Sequence, residues 1–147
     1  VDAGALGSRT ARHVEPRPDD SRSPGEWIAR YIRRVHPLQD AAVLDYALLT
    51  HFHGDHMGEA GESSKLSDSG KYRLSGITEV FEYVPIRKIL DRGWPDYDFP
   101  LPLNSPAMEN YREFLKWQAE KNGLIIQRFQ PGSNNQITLL KNSGRRH

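Results

Sequence analysis

The run from Val43 to Thr50 limits the fold of this chain more than any other stretch. It reads VLDYALLT, which is short and nearly continuously apolar. Such runs are typical of strands that are buried on both faces of a layered α/β sheet. The segment HFHGDH follows directly and holds three of the chain's six histidines. Because ligand chemistry collects in the loops beyond the carboxyl ends of strands in α/β folds, we predict a functional site at this strand end.

A helix is predicted before this strand. Ser23 is a suitable N-cap, Pro24 occupies the first helical position, Glu26 closes a capping box, and Pro37 ends the element. Its apolar residues follow helical spacing and predict one stripe packed on the core, formed by Trp27, Ile28, Tyr31, Ile32 and Val35.

The later part of the chain alternates helical and strand patterns with loops. The predicted elements are a helix over 77–83, a strand over 86–90, a helix from Ser105 to Gly123 with a stripe of Met108, Tyr111, Leu115 and Ala119, and a hairpin of strands over 124–129 and 136–140 around PGSNN. Residues 5–22 and 59–75 are predicted to be loops or insertions, and the proline-rich segment over 94–106 to be irregular. Together the elements predict one domain over residues 1–147.

Composition narrows the chemistry of the predicted site. The chain has no cysteine, so a metal would have to be held by histidine nitrogens and carboxylate oxygens. The formal net charge is +1, which indicates no particular class of charged partner. No apolar stretch approaches the roughly 20 residues of a membrane span, and no signal peptide is visible, which favours the cytoplasm.

The segment after the strand has the pattern His-x-His-x-Asp-His. We predict that His51, His53, Asp55 and His56 bind metal, since imidazole and carboxylate groups are the ligands that Zn²⁺ accepts. Asp55 is also the candidate to accept a proton or orient a water molecule in catalysis. Thr50 has a hydroxyl that can tie the loop together. The alternative interpretation is a polar surface turn without function.

The strand followed by THFHGDHMG resembles the metal-binding motif of the metallo-β-lactamase superfamily of metallohydrolases, and VDAG at residues 1–4 resembles that superfamily's first motif. The resemblance implies an αβ/βα sandwich, of which this chain covers mainly the N-terminal αβ half. It implies that His51 and His53 bind a first metal and that Asp55 and His56 bind a second. It also implies that Asp2 supports the metal-binding histidines without binding the metal itself. The alternative is that Asp2 only forms a turn.

The order of the motifs looks most like the subgroup related to the hydrolase domain of bacterial DNA-uptake competence proteins. By this resemblance the function is metal-dependent hydrolysis by a metal-activated hydroxide, with one or two Zn²⁺ ions, or Mn²⁺ or Fe, and with a phosphodiester or nucleic acid as substrate. Thioester or lactam hydrolysis is an alternative within the superfamily.

The superfamily completes its site with a further His, a bridging Asp and another His, but this chain has no histidine between Met57 and Arg146. We therefore expect a truncated chain that lacks segments at both ends. A non-catalytic, metal-binding fragment that needs a missing half is the remaining alternative.

Other residues admit both a functional and a structural interpretation. The arginines of the first loop could hold phosphate or be solvated surface charge, and the loop after residue 93 could line a pocket or pack for stability. His13 and His36 are predicted to be structural. The loop residues in question are Arg9, Arg12, Arg17 and Arg22, and Trp94, Asp96, Tyr97 and Asp98.

Overall fold

The chain has an α/β architecture, seen in a computed structural model that describes residues 3–5 and 18–138. The elements run in the order α1 (Pro24–Val35), a 3₁₀ turn (Gln39–Ala41), β1 (Leu44–Leu49), α2 (Gly54–Met57), α3 (Ile77–Tyr83), β2 (Ile86–Asp91), α4 (Pro106–Asn122) and β3 (Ile125–Arg128). Among these residues, no helix combines the length and apolar character that crossing a membrane requires.

The three strands form one parallel sheet in the order β1-β2-β3. Leu49, Asp91 and Arg128 lie side by side in the register, so all three strands end at the same edge. β1 is an edge strand of the described sheet, and Leu48 is 44 % exposed. The prediction that this strand is buried on both faces is therefore wrong, because the described chain has no element that covers Leu48 fully.

The main core joins the sheet to α3 and α4. Ala47, Ile89 and Ile126 are neighbours in the register and contact this core. Phe114 and Leu115 of α4 are fully buried in it. Burial of one such side chain contributes about 1.5–3 kcal/mol, so each of the two stabilises the packing of α4 on the sheet.

Helix α1 starts where predicted, but it buries a different face. Ser23 accepts a hydrogen bond from the Glu26 backbone N–H, whereas the Glu26 carboxylate pairs with Arg22 and does not close the capping box. Tyr31 and Val35 are 58 % and 60 % exposed, so the predicted stripe is wrong at these positions. The helix instead buries Gly25 and Ala29, because small residues allow its backbone to approach α3 closely.

Helix α4 and the two shorter elements before it confirm their predictions. Ser105 caps α4 by accepting a hydrogen bond from the Met108 N–H at 3.3 Å. Gly123 ends the helix in the left-handed conformation with φ of 69°. The observed α3 and β2 match the predicted helix over 77–83 and strand over 86–90 within one residue.

The predicted hairpin at the carboxyl end is wrong. β3 pairs with β2 in parallel, and residues 136–138 form no strand; 139–140 lie outside the described residues. The Gln136 side chain explains this, because it accepts from the Gln130 N–H at 2.7 Å and donates to the Arg128 carbonyl at 2.8 Å. The Gln136 amide thus satisfies one backbone group at the end of β3 and one just after it, which a returning strand would otherwise have paired.

Candidate functional site

The predicted metal ligands lie on a short loop at the carboxyl end of β1, Thr50 to His56, which we call the histidine loop. Phe52 points into the core, where its ring centroid lies 5.6 Å from that of Tyr97 and 6.0 Å from that of Tyr111. Extended backbone turns successive side chains to opposite sides, so the histidines on either side of Phe52 face outward. The aromatic anchor therefore presents the imidazoles at the surface.

The histidine loop brings its four candidate ligands together. The ring centroids of His51 and His53 are 4.9 Å apart, and those of His51 and His56 are 3.9 Å apart. Asp55 Oδ2 lies 3.6 Å from His56 Nε2. Thr50 Oγ1 lies within hydrogen-bonding distance of His51 Nδ1, at 3.0 Å, which leaves His51 Nε2 as the nitrogen available to a ligand.

The donor chemistry of this cluster fits a borderline divalent metal, whereas its side-chain positions do not yet form a closed site. Within residues 3–5 and 18–138, no three histidine or acidic side chains converge as the ligands of one ion. His53 is exposed, and 60 % of the Asp55 side chain is accessible, so both can rotate without disturbing the core. The loop therefore gathers metal-binding groups whose side chains would have to rotate to bind one ion together.

The segment Ala3–Ala5 packs against the histidine loop. The Ala5 N–H donates to the Gly54 carbonyl at 3.1 Å, and the Glu59 N–H donates to the Ala5 carbonyl at 2.7 Å. A Cβ on Gly4 would lie 1.8 Å from the Asp55 carbonyl oxygen, so only glycine fits there. The VDAG motif thus reaches the loop through its last residues, while Asp2 itself lies outside the described residues.

A second glycine supports the other end of the loop. Gly76 has φ of 53°, and a Cβ there would lie 2.2 Å from the Ala3 carbonyl oxygen and 2.3 Å from that of Met57. Three backbone segments therefore meet with no space for a side chain. This crossing sets the position of the helical turn that carries Asp55 and His56.

A buried carboxylate that the sequence analysis missed lies on the neighbouring strand. Asp91 is the last residue of β2 and is fully buried. Its carboxylate accepts hydrogen bonds from the Gly93 and Trp94 backbone N–H groups and from the Tyr97 and Tyr111 hydroxyls, at 2.8 to 3.1 Å. With four donors, its oxygens are satisfied. A signal was available, since an Asp ending a strand before an aromatic, proline-rich loop lies at the edge where β1 also ends.

The two tyrosines beside Asp91 are held neutral. Burial raises the pKa of the Tyr97 hydroxyl well above its ordinary value, and the Asp91 charge adds to that effect. The pKa of Tyr111 is raised by the same two causes, burial first. Both phenols therefore serve as donors to the carboxylate, and the network ties the loop after β2 to the aromatic pocket of Phe52.

Arg92 places a cation beside the histidine loop. Its guanidinium carbon lies 5.1 Å from the centre of the Phe52 ring, and Nη1 donates to the Phe99 carbonyl at 3.1 Å. Cation–aromatic contact and one hydrogen bond hold the guanidinium in place and leave N–H donors available. No spacing in the sequence pointed to this residue.

Some of the other candidate residues have structural positions, some are exposed, and some lie outside the described residues. Tyr97 is 1 % exposed and belongs to the core, while Asp96 and Asp98 are exposed. His36 caps α1, and its Nδ1 accepts from the Leu38 N–H at 3.1 Å, as its structural interpretation predicts. Trp94 packs against the core, and Arg22 pairs with Glu26. The other candidates lie outside the described residues: Arg9, Arg12, His13 and Arg17.

The chain was compared with protein families, curated proteins and solved structures. No family model, curated protein or solved structure matches the chain.

Proposed function

We propose that the chain contributes the metal-binding loop of a metal-dependent hydrolase, with His51, His53, Asp55 and His56 as ligands. The observation that carries the proposal is the gathering of three imidazoles and a carboxylate on one loop at the carboxyl edge of a parallel sheet. Zn²⁺ is the proposed cation because it accepts imidazole nitrogen and carboxylate oxygen, the two kinds of ligand that this loop offers. When bound, such a cation polarises substrate oxygen and acidifies water.

The residues of the loop have separable tasks in this proposal. The Thr50 hydroxyl orients the His51 ring through Nδ1, so that Nε2 is the metal-binding nitrogen. Phe52 anchors the backbone between the two outward histidines. Asp55 is accessible enough to hold a water molecule or to accept its proton. Asp2 is retained as the proposed support of the loop because Ala3–Ala5 contact it directly.

Within this proposal, a phosphodiester is the favoured substrate. Arg92 provides guanidinium donors over the ring of Phe52, a residue of the histidine loop, and guanidinium groups pair with phosphate oxygens. A neutral ester, thioester or lactam would gain nothing from this cation. Replacing Arg92 with Gln is therefore expected to weaken phosphodiester cleavage and to leave cleavage of a neutral ester unchanged.

We also propose that the described sheet corresponds to one αβ half of a metallo-β-lactamase-like sandwich. The core helices share one side of the sheet with Ala47, Leu49 and Ile89. On the other side, Leu48 and Ile125 are 44 % and 51 % exposed. An apolar sheet face of this kind suits packing against a second sheet layer.

The test of the metal centre is Zn²⁺ binding by the full chain, followed by calorimetry and by elemental analysis after dialysis. His53→Ala and Asp55→Ala are expected to abolish tight binding, whereas the control His36→Ala, at a histidine outside the loop, should bind as the unmodified chain does. Hydrolysis is then measured with bis(p-nitrophenyl) phosphate and with p-nitrophenyl acetate as the neutral ester. Equal Zn²⁺ affinity in all four proteins would refute the proposed ligands.

A second candidate is a non-catalytic metal-binding module that acts with a partner. The absence of three converging ligands in the described residues favours it, because four donors on one loop cannot fill the coordination shells of two ions. This candidate predicts at most one bound Zn²⁺ and no hydrolysis of either substrate. Hydrolysis that is lost in His53→Ala but not in His36→Ala would decide for the enzyme.

A further inference from the structure

A large cavity at the surface of the described chain lies away from the histidine loop, beside α1. It has a volume of about 840 Å³, within the range of ligand-binding clefts. We call it the α1 groove. Its lining from the helix consists of Trp27, Arg30, Tyr31, Arg33 and Arg34.

Positive charge dominates the α1 groove. Arg30 and Arg34 are four residues apart on an exposed helical face, an arrangement in which like charges repel. Among the described residues neither forms an ion pair with an acidic side chain, and Asp40 is the one acid in the groove lining. The chain as a whole carries only +1, so this concentration of arginine is local.

Aromatic rings are interleaved with these arginines. The guanidinium carbons of Arg22 and Arg30 lie 5.6 Å and 5.8 Å from the centre of the Trp27 ring, which orders both cations. The Trp27 indole N–H donates to the Asp19 carbonyl at 3.2 Å and so fixes the ring itself. Tyr31 is different because the residue is 58 % exposed at the groove, so that its ring can receive a stacking partner.

We propose that the α1 groove binds single-stranded nucleic acid, with Arg30 and Arg34 on phosphates and an unpaired base stacked on Tyr31. Guanidinium groups match phosphate geometry, and exposed aromatic rings stack on bases of any sequence. A duplex keeps its bases inside and cannot offer one to Tyr31, which is why the single strand is favoured. The inference stands apart from the proposed metal centre, since none of these residues belongs to the histidine loop.

The experiment is fluorescence anisotropy of a labelled 15-nucleotide oligo(dT) with the full chain in EDTA, at a series of salt concentrations. Arg30→Gln with Arg34→Gln is expected to weaken binding at least tenfold and to lower the salt slope by about 1.4, at roughly 0.7 for each lost phosphate contact. Tyr31→Ala is expected to weaken binding about tenfold, and Tyr31→Phe to retain it. All three side chains are exposed, so circular dichroism of each variant should match that of the unmodified chain.

The matched control removes two positive charges elsewhere, with Arg87→Gln and Lys116→Gln, both exposed. It is expected to bind oligo(dT) nearly as well as the unmodified chain. The proposal is overturned by no oligo(dT) binding, by tighter binding of a duplex of the same length, by binding only to anionic phosphatidylserine vesicles, or by an equal loss in the control. A His53→Ala protein that still binds oligo(dT) while losing Zn²⁺ would show that the two sites are separate.

Discussion

Two aspartates near the same edge of the sheet have opposite surroundings. Asp91 ends β2 fully buried, with two backbone and two tyrosine donors on its carboxylate. Asp55 follows β1 with 60 % of its side chain accessible, and its Oδ2 lies 3.6 Å from His56 Nε2. A buried, satisfied carboxylate holds structure together, whereas an accessible one beside imidazoles is available for chemistry. The strand end alone therefore does not identify a functional residue.

The largest loss of stability is expected when the buried Asp91 carboxylate is removed. Asp91→Ala leaves three buried donors and one partly buried donor without an acceptor, and is expected to lower the free energy of unfolding by about 3–5 kcal/mol. Urea denaturation followed by circular dichroism measures the change. If the variant does not fold, Asp91→Asn, which keeps one acceptor oxygen, provides a smaller loss. An unchanged midpoint in Asp91→Asn would show that the network contributes little.

The second largest loss of stability is expected at Gly76, where three backbone segments meet beside the histidine loop. Gly76→Ala places a methyl group against two carbonyl oxygens at a positive φ, and is expected to cost about 2–4 kcal/mol. Gly70→Ala is the control, because Gly70 also has a positive φ but a Cβ there meets nothing within 4 Å. Thermal denaturation of both variants checks this. Equal losses would mean that backbone conformation alone, not the crossing, sets the cost.

Alkaline pH tests the Asp91 network without a substitution in the carboxylate. The pKa of Tyr97 is raised on folding, so above pH 10, its ordinary value, the unfolded chain releases a proton that the folded chain retains. Stability is therefore fully present below pH 10 and falls as pH rises further, by about 1.4 kcal/mol per pH unit for one such tyrosine. Denaturation between pH 9 and roughly 11.5 measures the slope. Tyr97→Phe should reduce it by that amount, and an unchanged slope would contradict the assignment.

The smallest effect on stability is expected at Asp55. In EDTA, Asp55→Ala should change the free energy of unfolding by no more than about 0.5 kcal/mol, because the side chain is largely solvated. The same variant is expected to lose Zn²⁺ binding in the calorimetric test. A large loss of stability without metal would place Asp55 with Asp91 as a structural residue and would remove the contrast between them.

Local signals predicted α1, α3, α4 and the three strands of the sheet, but not the short helix α2. Ser105 and Gly123 define α4 by its ends, and the apolar runs define β1 and β2. The failures involve long-range contacts. The buried face of α1 depends on Gly25 meeting Glu79 of α3, and a pattern of large apolar residues cannot indicate a face made of small ones. The hairpin prediction failed because the Gln136 side chain takes hydrogen bonds that a second strand would have made, and the sequence pattern does not show this.

The site was predictable to the extent that it lies in one continuous segment. The histidine loop is such a segment, and the structure brings its side chains together. Arg92 was missed because its contact with Phe52 joins residues distant in the chain. Asp91 was missed although three of its four donors are local, because its burial against Tyr111 depends on α4. A single acidic residue at a strand end has no spacing pattern of its own, so only the fold can identify its donors.

The inward position of Phe52 has a consequence for how this loop can change in evolution or engineering. Its neighbours face the solvent only because the aromatic ring occupies the pocket of Tyr97 and Tyr111. Inserting or deleting one residue between Thr50 and Gly54 would exchange the two sides, moving an imidazole into the pocket and the phenyl ring into water. The fold of the loop should therefore tolerate substitutions at its outward positions, even those that remove a proposed metal ligand, but no change in its length.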